Sequence, residues 1–459
     1  MQAILANGPT RSTDWQDVNW RHVNRRVRNL RRRIFRASQQ GDHKTVSRLQ
    51  KLMLRSYANR LQAVRRVTQI NHGKDTPGID KVVVKTPAAR GKLVEALADY
   101  QPWRALPVKR VYIPKANGKV RPLGIVSIRD RALQAMVKNA LEPAWEAEFE
   151  ASSYGFRPGR SCHDAMQKIY GLANARSTRR WIVDADIQGA FDNLCQEFLL
   201  AAIGPVPGRE LIKQWLHAGY LEEGVLHPTP TGTSQGTVIS PLLLNVALHG
   251  MEAALGITYD SHGHLNGSRA LVHYADDLVV FCRSREDARQ AQETLGEWLG
   301  LRGLVLSEEK TRIVHLTEGF DFLGFTVRQY PVRSTRSGRK LLITPSPASV
   351  HTIKVRLRDE WLRLRGANAE AVIQRLNPII RGWAEYFQRQ CASEVFHDLD
   401  YFMWRREYRY VARAHPGKSW SWNWQPLTWR SQASKFGVTD HDACAARGRV
   451  RAAAHTSVR

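Results

Sequence analysis

The run Leu271-Val272-His273-Tyr274-Ala275-Asp276-Asp277-Leu278-Val279-Val280-Phe281 places two adjacent acids inside an otherwise apolar, β-prone segment. Neighbouring carboxylates in a core are costly unless they are paired or bind a metal, whereas at a hairpin turn both can face one cation. A solvated Asp-Asp turn is the plainer alternative. Upstream, Trp181-Ile182-Val183-Asp184-Ala185-Asp186-Ile187 reads as a strand with Asp184 and Asp186 on one face and Trp181, Val183, Ala185 and Ile187 on the other. An acid from each of two neighbouring strands suits two-metal phosphoryl transfer. One ion activates an attacking hydroxyl and the other, roughly 3.5–4 Å away, stabilises the leaving oxygens. Taken alone, Asp186 is equally an exposed acid on an edge strand.

Working outward, short apolar strands are expected at 181–187, 271–274, 278–282 and 322–327, alternating with helices in an α+β order. Val108 to Ile125 reads as a β-hairpin turning at Asn117-Gly118, and 129–150 as a helix. From Trp15 to about Thr68 the pattern is helical: Val23, Val27, Leu30 and Ile34 repeat between arginines, and a second helix follows Gly41 through Val46, Leu49, Leu52 and Leu61. After residue 345 the chain becomes helical and aromatic, and its last stretch is polar and aperiodic.

At 459 residues the length predicts three or four domains. Of the formal charge of +27, residues 1–70 carry +13 and residues 331–459 another +13, leaving +1 for the 260 residues between. Two basic arms flanking a neutral middle suit a polyanion held through salt-sensitive phosphate contacts. An anionic membrane surface is the rival partner, but no apolar run is long enough to span a bilayer. The Arg-rich start lacks a signal-peptide core; it could imitate a mitochondrial transit peptide, though the basic helical pattern runs on to about residue 66. Cys162, Cys195, Cys282, Cys391 and Cys444 lie far apart without CxxC spacing, which argues for a reducing compartment and against disulfides or structural zinc.

These residues resemble a bacterial group II intron reverse transcriptase/maturase. Tyr274-Ala275-Asp276-Asp277 matches the catalytic box, and Asp186-Ile187-Gln188-Gly189-Ala190-Phe191-Asp192-Asn193 the acidic box before it. In family order stand Ser153-Tyr154-Gly155-Phe156-Arg157-Pro158-Gly159-Arg160-Ser161, then Gly232-Thr233-Ser234-Gln235-Gly236 with Ile239-Ser240-Pro241. Leu306-Ser307-Glu308-Glu309-Lys310-Thr311 and Phe322-Leu323-Gly324-Phe325 follow. The likeness covers about residues 15–425.

The resemblance implies a right-hand polymerase: fingers and palm of antiparallel sheet plus helices over 71–335, a helical thumb/maturase domain over 336–425, and a helical basic N-terminal extension over 1–70. A basic tail at 426–459 would be at most a remnant DNA-binding segment. The resemblance implies Asp186, Asp276 and Asp277 as catalytic ligands of two Mg²⁺ ions, for which Mn²⁺ can substitute, helped by the Ile187 carbonyl. Lys115, Arg121, Phe191 and Gln235 would contact the deoxynucleoside triphosphate, Phe191 as a steric gate against the ribose 2′-hydroxyl. Ser234 stands where the family usually has proline, which implies a less rigid loop around Gln235. Arg157, Arg160, Lys310, Phe322, Leu323 and Gly324 would touch template or primer. Each also has a plainer reading, as core aromatic or solvated cation. In the maturase region, aromatics interleaved with Arg405, Arg406 and Arg409 could stack on unpaired bases or simply pack a bundle.

The expected function is RNA-directed DNA synthesis in the bacterial cytoplasm, with an RNA template, a DNA or RNA primer, structured intron RNA and target DNA as partners. Splicing and retromobility would accompany it. Many relatives continue into an HNH endonuclease with paired cysteines, and none is expected here. Three alternatives stand beside this: an intron-free enzyme used in host defence or DNA repair, a non-catalytic RNA-binding splicing factor, and a palm-type RNA-templated RNA polymerase.

Overall fold

Asn19 opens the first helix, Trp20–Gln39, by accepting the His22 N–H at 3.0 Å, and Asp42 opens the second, His43–Arg55, by accepting that of Thr45 at 3.0 Å. Val23, Val27, Ile34 and Ala37 form the buried stripe of the first helix, while Arg25, Arg26, Arg28, Arg32 and Arg33 stay exposed. The first helix therefore begins five residues later than the helical pattern read from Trp15. The second helix also stops short of Leu61, because Ser56 is extended (ψ 122°) and a new helix, Tyr57–Arg65, starts after it. No glycine or proline marks this break. What holds it is Asn59, fully buried, whose Nδ2 donates to the carbonyls of Met53 (3.0 Å) and Met136 (3.2 Å). All three helices pack on Ile128–Glu148.

The structure is a computed structural model that describes residues 14–98, 103–114, 118, 120–333 and 335–417. It forms two compact units, residues 1–169 with 181–313 and residues 170–180 with 314–459. The basic N-terminal helices belong to the first unit because they share their core with Ile128–Glu148. The tail at 426–459, with Cys444, lies outside the described residues. Cys162, Cys195, Cys282 and Cys391 are free thiols. No helix among the described residues is long and apolar enough to cross a membrane.

In the first unit, strands Val108–Pro114 and Val120–Ile125 form the expected hairpin, extended by Tyr220–Glu222 and Val225–His227. A second sheet carries Ala270–Tyr274, Asp277–Cys282 and Trp181–Asp186 in that spatial order, with a short strand beginning at Arg312 beyond them. Helix Arg285–Gly300 covers this sheet. In the second unit, the expected strand 322–327 is instead a hairpin. Phe320–Phe322 pairs with Phe325–Pro331 through a two-residue turn in which Leu323 (φ 49°) and Gly324 (φ 80°) are both left-handed, as a type I′ turn requires. Arg339–Pro345 completes that sheet, and helices Pro347–Arg363, Ala369–Phe387 and Ser393–Ala414 follow. Phe325, Trp383, Tyr386, Phe387 and Phe396 contact one another with centroid separations of 4.4–6.0 Å, so these aromatics are packing residues.

Candidate active site

Strand register brings the three acids together. Asp186, the last residue of its strand, lies directly opposite Asp277, and Asp277 in turn pairs with Tyr274 across the two-residue turn Ala275-Asp276. Ala275 takes φ 58°, the positive value that the first central position of a type II′ turn demands and that glycine usually supplies. The Ile187 N–H donates to the Asp276 carbonyl at 3.1 Å, tying the two acid-bearing segments at the backbone. Ile187 itself is buried.

The acids sit in a poorly solvated setting. Burial pushes the Asp277 carboxyl up to about 7, and the charges of Asp276 and Asp186 add to the rise. Asp276 is raised first by burial, then by Asp186, with Lys310 and Arg121 pulling it back. Three carboxylates of oxygen donors, mutually repelling and only partly neutralised, are the donor set of a hard divalent cation. Asp184 lies on the same strand face as Asp186 but pairs with a different cation: Arg312 Nε reaches its carboxylate at 2.9 Å. Lys310, expected among the template contacts, instead ion-pairs with Asp186, and this bond lifts its ammonium above the ordinary value.

Two loops converge on this centre. Gly155 packs so tightly on the Ala275-Asp276 turn that a Cβ there would lie 2.8 Å from the Tyr274 carbonyl carbon and closer still to the Ala275 nitrogen. The contact is held by Tyr154 N–H to His273 O (3.0 Å), His273 N–H to Ser152 O (3.0 Å) and Asn245 Nδ2 to Gly155 O (2.9 Å). Arg157 and Arg160 brace this loop from beneath. The Arg157 side chain is 3% exposed, with its fork on Glu146 (2.9–3.2 Å) and on the carbonyls of Glu150 and Ser153. Arg160 donates to the carbonyls of Ala151 (2.7 Å) and Ser153 (3.0 Å). Both arginines, expected at the template, are committed to protein carbonyls and a carboxylate because the loop's own backbone acceptors need donors.

The second loop clips onto the acidic box. Thr233 N–H donates to Phe191 O (2.6 Å) and Gly232 N–H to Leu194 O (2.7 Å), and a side chain at Gly232 (φ 79°) would strike the Asp192 backbone. Gln235 O accepts the Gly124 N–H at 2.8 Å, joining the loop to the hairpin that carries exposed Arg121. Lys115 lies outside the described residues. Where proline was missed at Ser234, a hydroxyl network holds the loop instead: Ser240 Oγ reaches Ser234 O (3.0 Å), Thr233 Oγ1 (2.5 Å) and Thr237 Oγ1.

Phe191 is 9% exposed, and its ring meets Phe156 edge-on at 6.2 Å and 70°. Phe156 was not singled out from the sequence. It is 47% exposed with φ 59°, a bulky aromatic held in a strained conformation beside the acids' neighbour, and nothing local in its motif announces that pose. Phe322, Leu323 and Gly324 belong to the second unit. There Phe322 is buried, Tyr386 Oη donates to Leu323 O (2.9 Å), and Gly324 O accepts from Ser346 N (2.8 Å) and Ser349 Oγ (3.1 Å).

The chain's similarities run along the same segments. The family described as reverse transcriptase (RNA-dependent DNA polymerase) matches residues 113–327, the N-terminal domain of reverse transcriptase residues 15–97, and the group II intron maturase-specific domain residues 350–428. Protein YkfC of Escherichia coli (strain K12) is 34% identical over 56% of this chain and 77% of its own length. Group II intron-encoded protein LtrA of Lactococcus lactis subsp. cremoris is 28% identical over 84% of this chain and 78% of its own. Telomerase from Candida albicans, solved with a fragment of telomeric RNA, aligns with 68% of this chain and 59% of its own at 14% identity and a TM-score of 0.39.

Proposed function

This chain belongs to the group II intron reverse transcriptase/maturase family, and on that premise we propose that it copies RNA into DNA at the cluster of Asp186, Asp276 and Asp277 with two Mg²⁺ ions. It is an RNA-directed DNA polymerase with an intron maturase function, it works on nucleic acid, and it depends on a divalent metal. The observation that carries the site assignment is the register that sets Asp186 opposite Asp277, with Asp276 in the adjoining turn.

In this reading the three carboxylates and the Ile187 carbonyl hold the metals, whose Lewis acidity, once bound, makes a primer 3′-hydroxyl a better nucleophile and stabilises the leaving pyrophosphate. The protein supplies positioning and charge. Arg121 and Lys115 neutralise the triphosphate of an incoming deoxynucleotide, and Gln235 lines its pocket. The Phe191 ring closes the space a 2′-hydroxyl would need, with Phe156 buttressing it. Lys310 restrains Asp186 and screens its charge. Arg157 and Arg160 act through the loop they brace. The arginine face of the first helix lies along an RNA backbone, and the helical region of the second unit binds primer-template duplex and intron RNA, with target DNA a later partner of the same cytoplasmic enzyme.

The test is extension of oligo(dT) on poly(rA) with dTTP and Mg²⁺, comparing wild type with Asp276→Ala. Synthesis by the wild type and none by the folded variant is expected. A well-folded wild type that makes no product across a range of salt would refute the assignment.

A further inference from the structure

The helical part of the second unit holds a cavity of about 470 Å³, within the size range of small-ligand sites. It lies between the end of helix Pro347–Arg363, the loop that follows, and the last turns of helix Ser393–Ala414. Local chemistry keeps it open. Gly366 (φ 83°) turns the loop away from the helix, and Tyr410 Oη pins that loop by donating to Ala367 O at 2.6 Å. The Tyr410 ring rests 5.7 Å from that of Trp361.

The lining is cationic and aromatic. Arg406, Arg409 and Arg413 recur at three- and four-residue spacing, so they share one helix face, and Arg365 joins them from the loop. No carboxylate lines the cavity among the described residues. The nearby Glu360 is already engaged by Arg363 (3.4 Å) and Arg375 (2.9 Å). Burial, then the charges of Arg409, Arg358 and Arg405, hold the Arg406 guanidinium below its ordinary value, the mark of a cluster lacking counter-charge. Trp361 is 6% exposed, and its indole N–H is buried without a hydrogen-bond partner among the described residues. A buried donor of this kind calls for an acceptor.

Guanidinium forks match phosphate oxygens in pairs, and the half-buried Tyr410 ring with exposed Leu362 offers an apolar surface that an inorganic anion would not use. We infer that this cavity captures a single unpaired nucleotide of a structured RNA, its phosphate on Arg365, Arg409 and Arg413 and its base against Tyr410 and Leu362. The inference rests on the maturase reading and deepens it: the RNA is recognised here by an extruded nucleotide as well as by its backbone.

The experiment measures anisotropy of the full chain with a labelled RNA hairpin bearing one bulged nucleotide, the same hairpin fully paired, and AMP as competitor. The wild type should prefer the bulged hairpin by about tenfold, the scale of one stacked base with its phosphate. Arg365→Gln with Arg413→Gln, both at exposed positions, should bring that preference to within about twofold while the paired hairpin still binds. Trp361→Phe, which keeps the ring and removes the donor, should reduce it severalfold, and thermal melting checks that each variant is folded. Equal affinity of the wild type for the two hairpins, or equal weakening of both in the double variant, overturns the pocket and leaves the maturase reading intact. AMP competing as strongly as the bulged hairpin also overturns it, in favour of a free nucleotide. If neither hairpin binds the wild type, the RNA reading itself fails.

Discussion

Gly155→Ala tests whether the catalytic turn is positioned by the loop behind it. A Cβ at residue 155 would sit 2.8 Å from the Tyr274 carbonyl carbon and 3.0 Å from the Ala275 Cβ, where ordinary contact begins at 3.4 Å. Backbone lies on both sides of this contact, so no flexible side chain can give way. The turn carrying Asp276 must retreat by at least about 0.6 Å, and by about 1 Å once the closer Ala275 nitrogen is relieved. Overpacking of this kind costs about 1–3 kcal/mol of stability, and displacing a reacting group by about 1 Å costs roughly 100-fold in rate. Single-nucleotide extension under enzyme excess isolates the chemical step, and thermal melting reports the stability term. Gly171→Ala is the control: it lies in a helix with nothing within 4 Å of its new Cβ, so it should leave the rate unchanged. A folded Gly155→Ala enzyme that extends primers within about threefold of wild type would refute the positioning argument.

Phe191→Val should raise ribonucleotide incorporation relative to deoxynucleotide by roughly tenfold or more, the effect of a few methylenes' worth of pocket volume. Phe156→Ala should shift the same ratio severalfold, because Phe191 then loses the ring that meets its edge. Unchanged ratios of kcat/KM for rCTP and dCTP in both variants would remove the gate from Phe191. Lys310→Met deprives Asp186 of its cation, so the acids repel more strongly without metal, and Mg²⁺ should raise the Tm of the variant by more degrees than that of wild type. An equal rise would show that the lysine does not screen the cluster. His273 is fully buried, and burial pushes its imidazole down to about 4, so it stays neutral in the fold while the unfolded chain protonates it near 6.5. Its contribution is complete above about pH 6.5 and is lost as pH falls toward 4, by about 3 kcal/mol. Glu150, pushed up to about 7 by burial, tilts stability the opposite way over an overlapping range. The difference in unfolding free energy between wild type and His273→Gln should therefore shrink by that amount from pH 7 to pH 4, and a constant difference would contradict the burial argument.

What could be read from the chain alone follows the range of the forces involved. Strand Trp181–Asp186, the hairpin at Asp276 and the hairpin at residues 108–125 announce themselves locally, through β-prone runs interrupted by acids or by Asn-Gly. The turn at Leu323-Gly324 is local too, yet an apolar leucine occupies a left-handed position that Asn or Gly normally marks, so the run looked continuous. The break at Ser56 carries no glycine or proline: the Met53 carbonyl there accepts from the Ser56 N–H and from Asn59, and the kink is stabilised against Met136, 77 residues from Asn59. Lys310 is beyond reach in the same way: its partner Asp186 lies 124 residues earlier, and only register brings them together.

The arginines at 157 and 160 show why charge in a motif is a weak guide to what it touches. A loop that must approach a backbone turn closely needs glycine at the contact, and glycine offers no side chain with which to hold the loop in place. The holding must come from elsewhere, and the carbonyls of Glu150, Ala151 and Ser153 take their donors from these two arginines. Two guanidiniums answer both needs, with Glu146 balancing the more buried one. Phe156, between Gly155 and Arg157, is then turned outward at φ 59° toward Phe191. Breaking the Arg157–Glu146 pair should thus act at a distance: a folded Glu146→Gln variant should lose nucleotide selectivity and extension rate together, with the KM for primer-template unchanged. A selective rise in that KM would instead return Arg157 to the template.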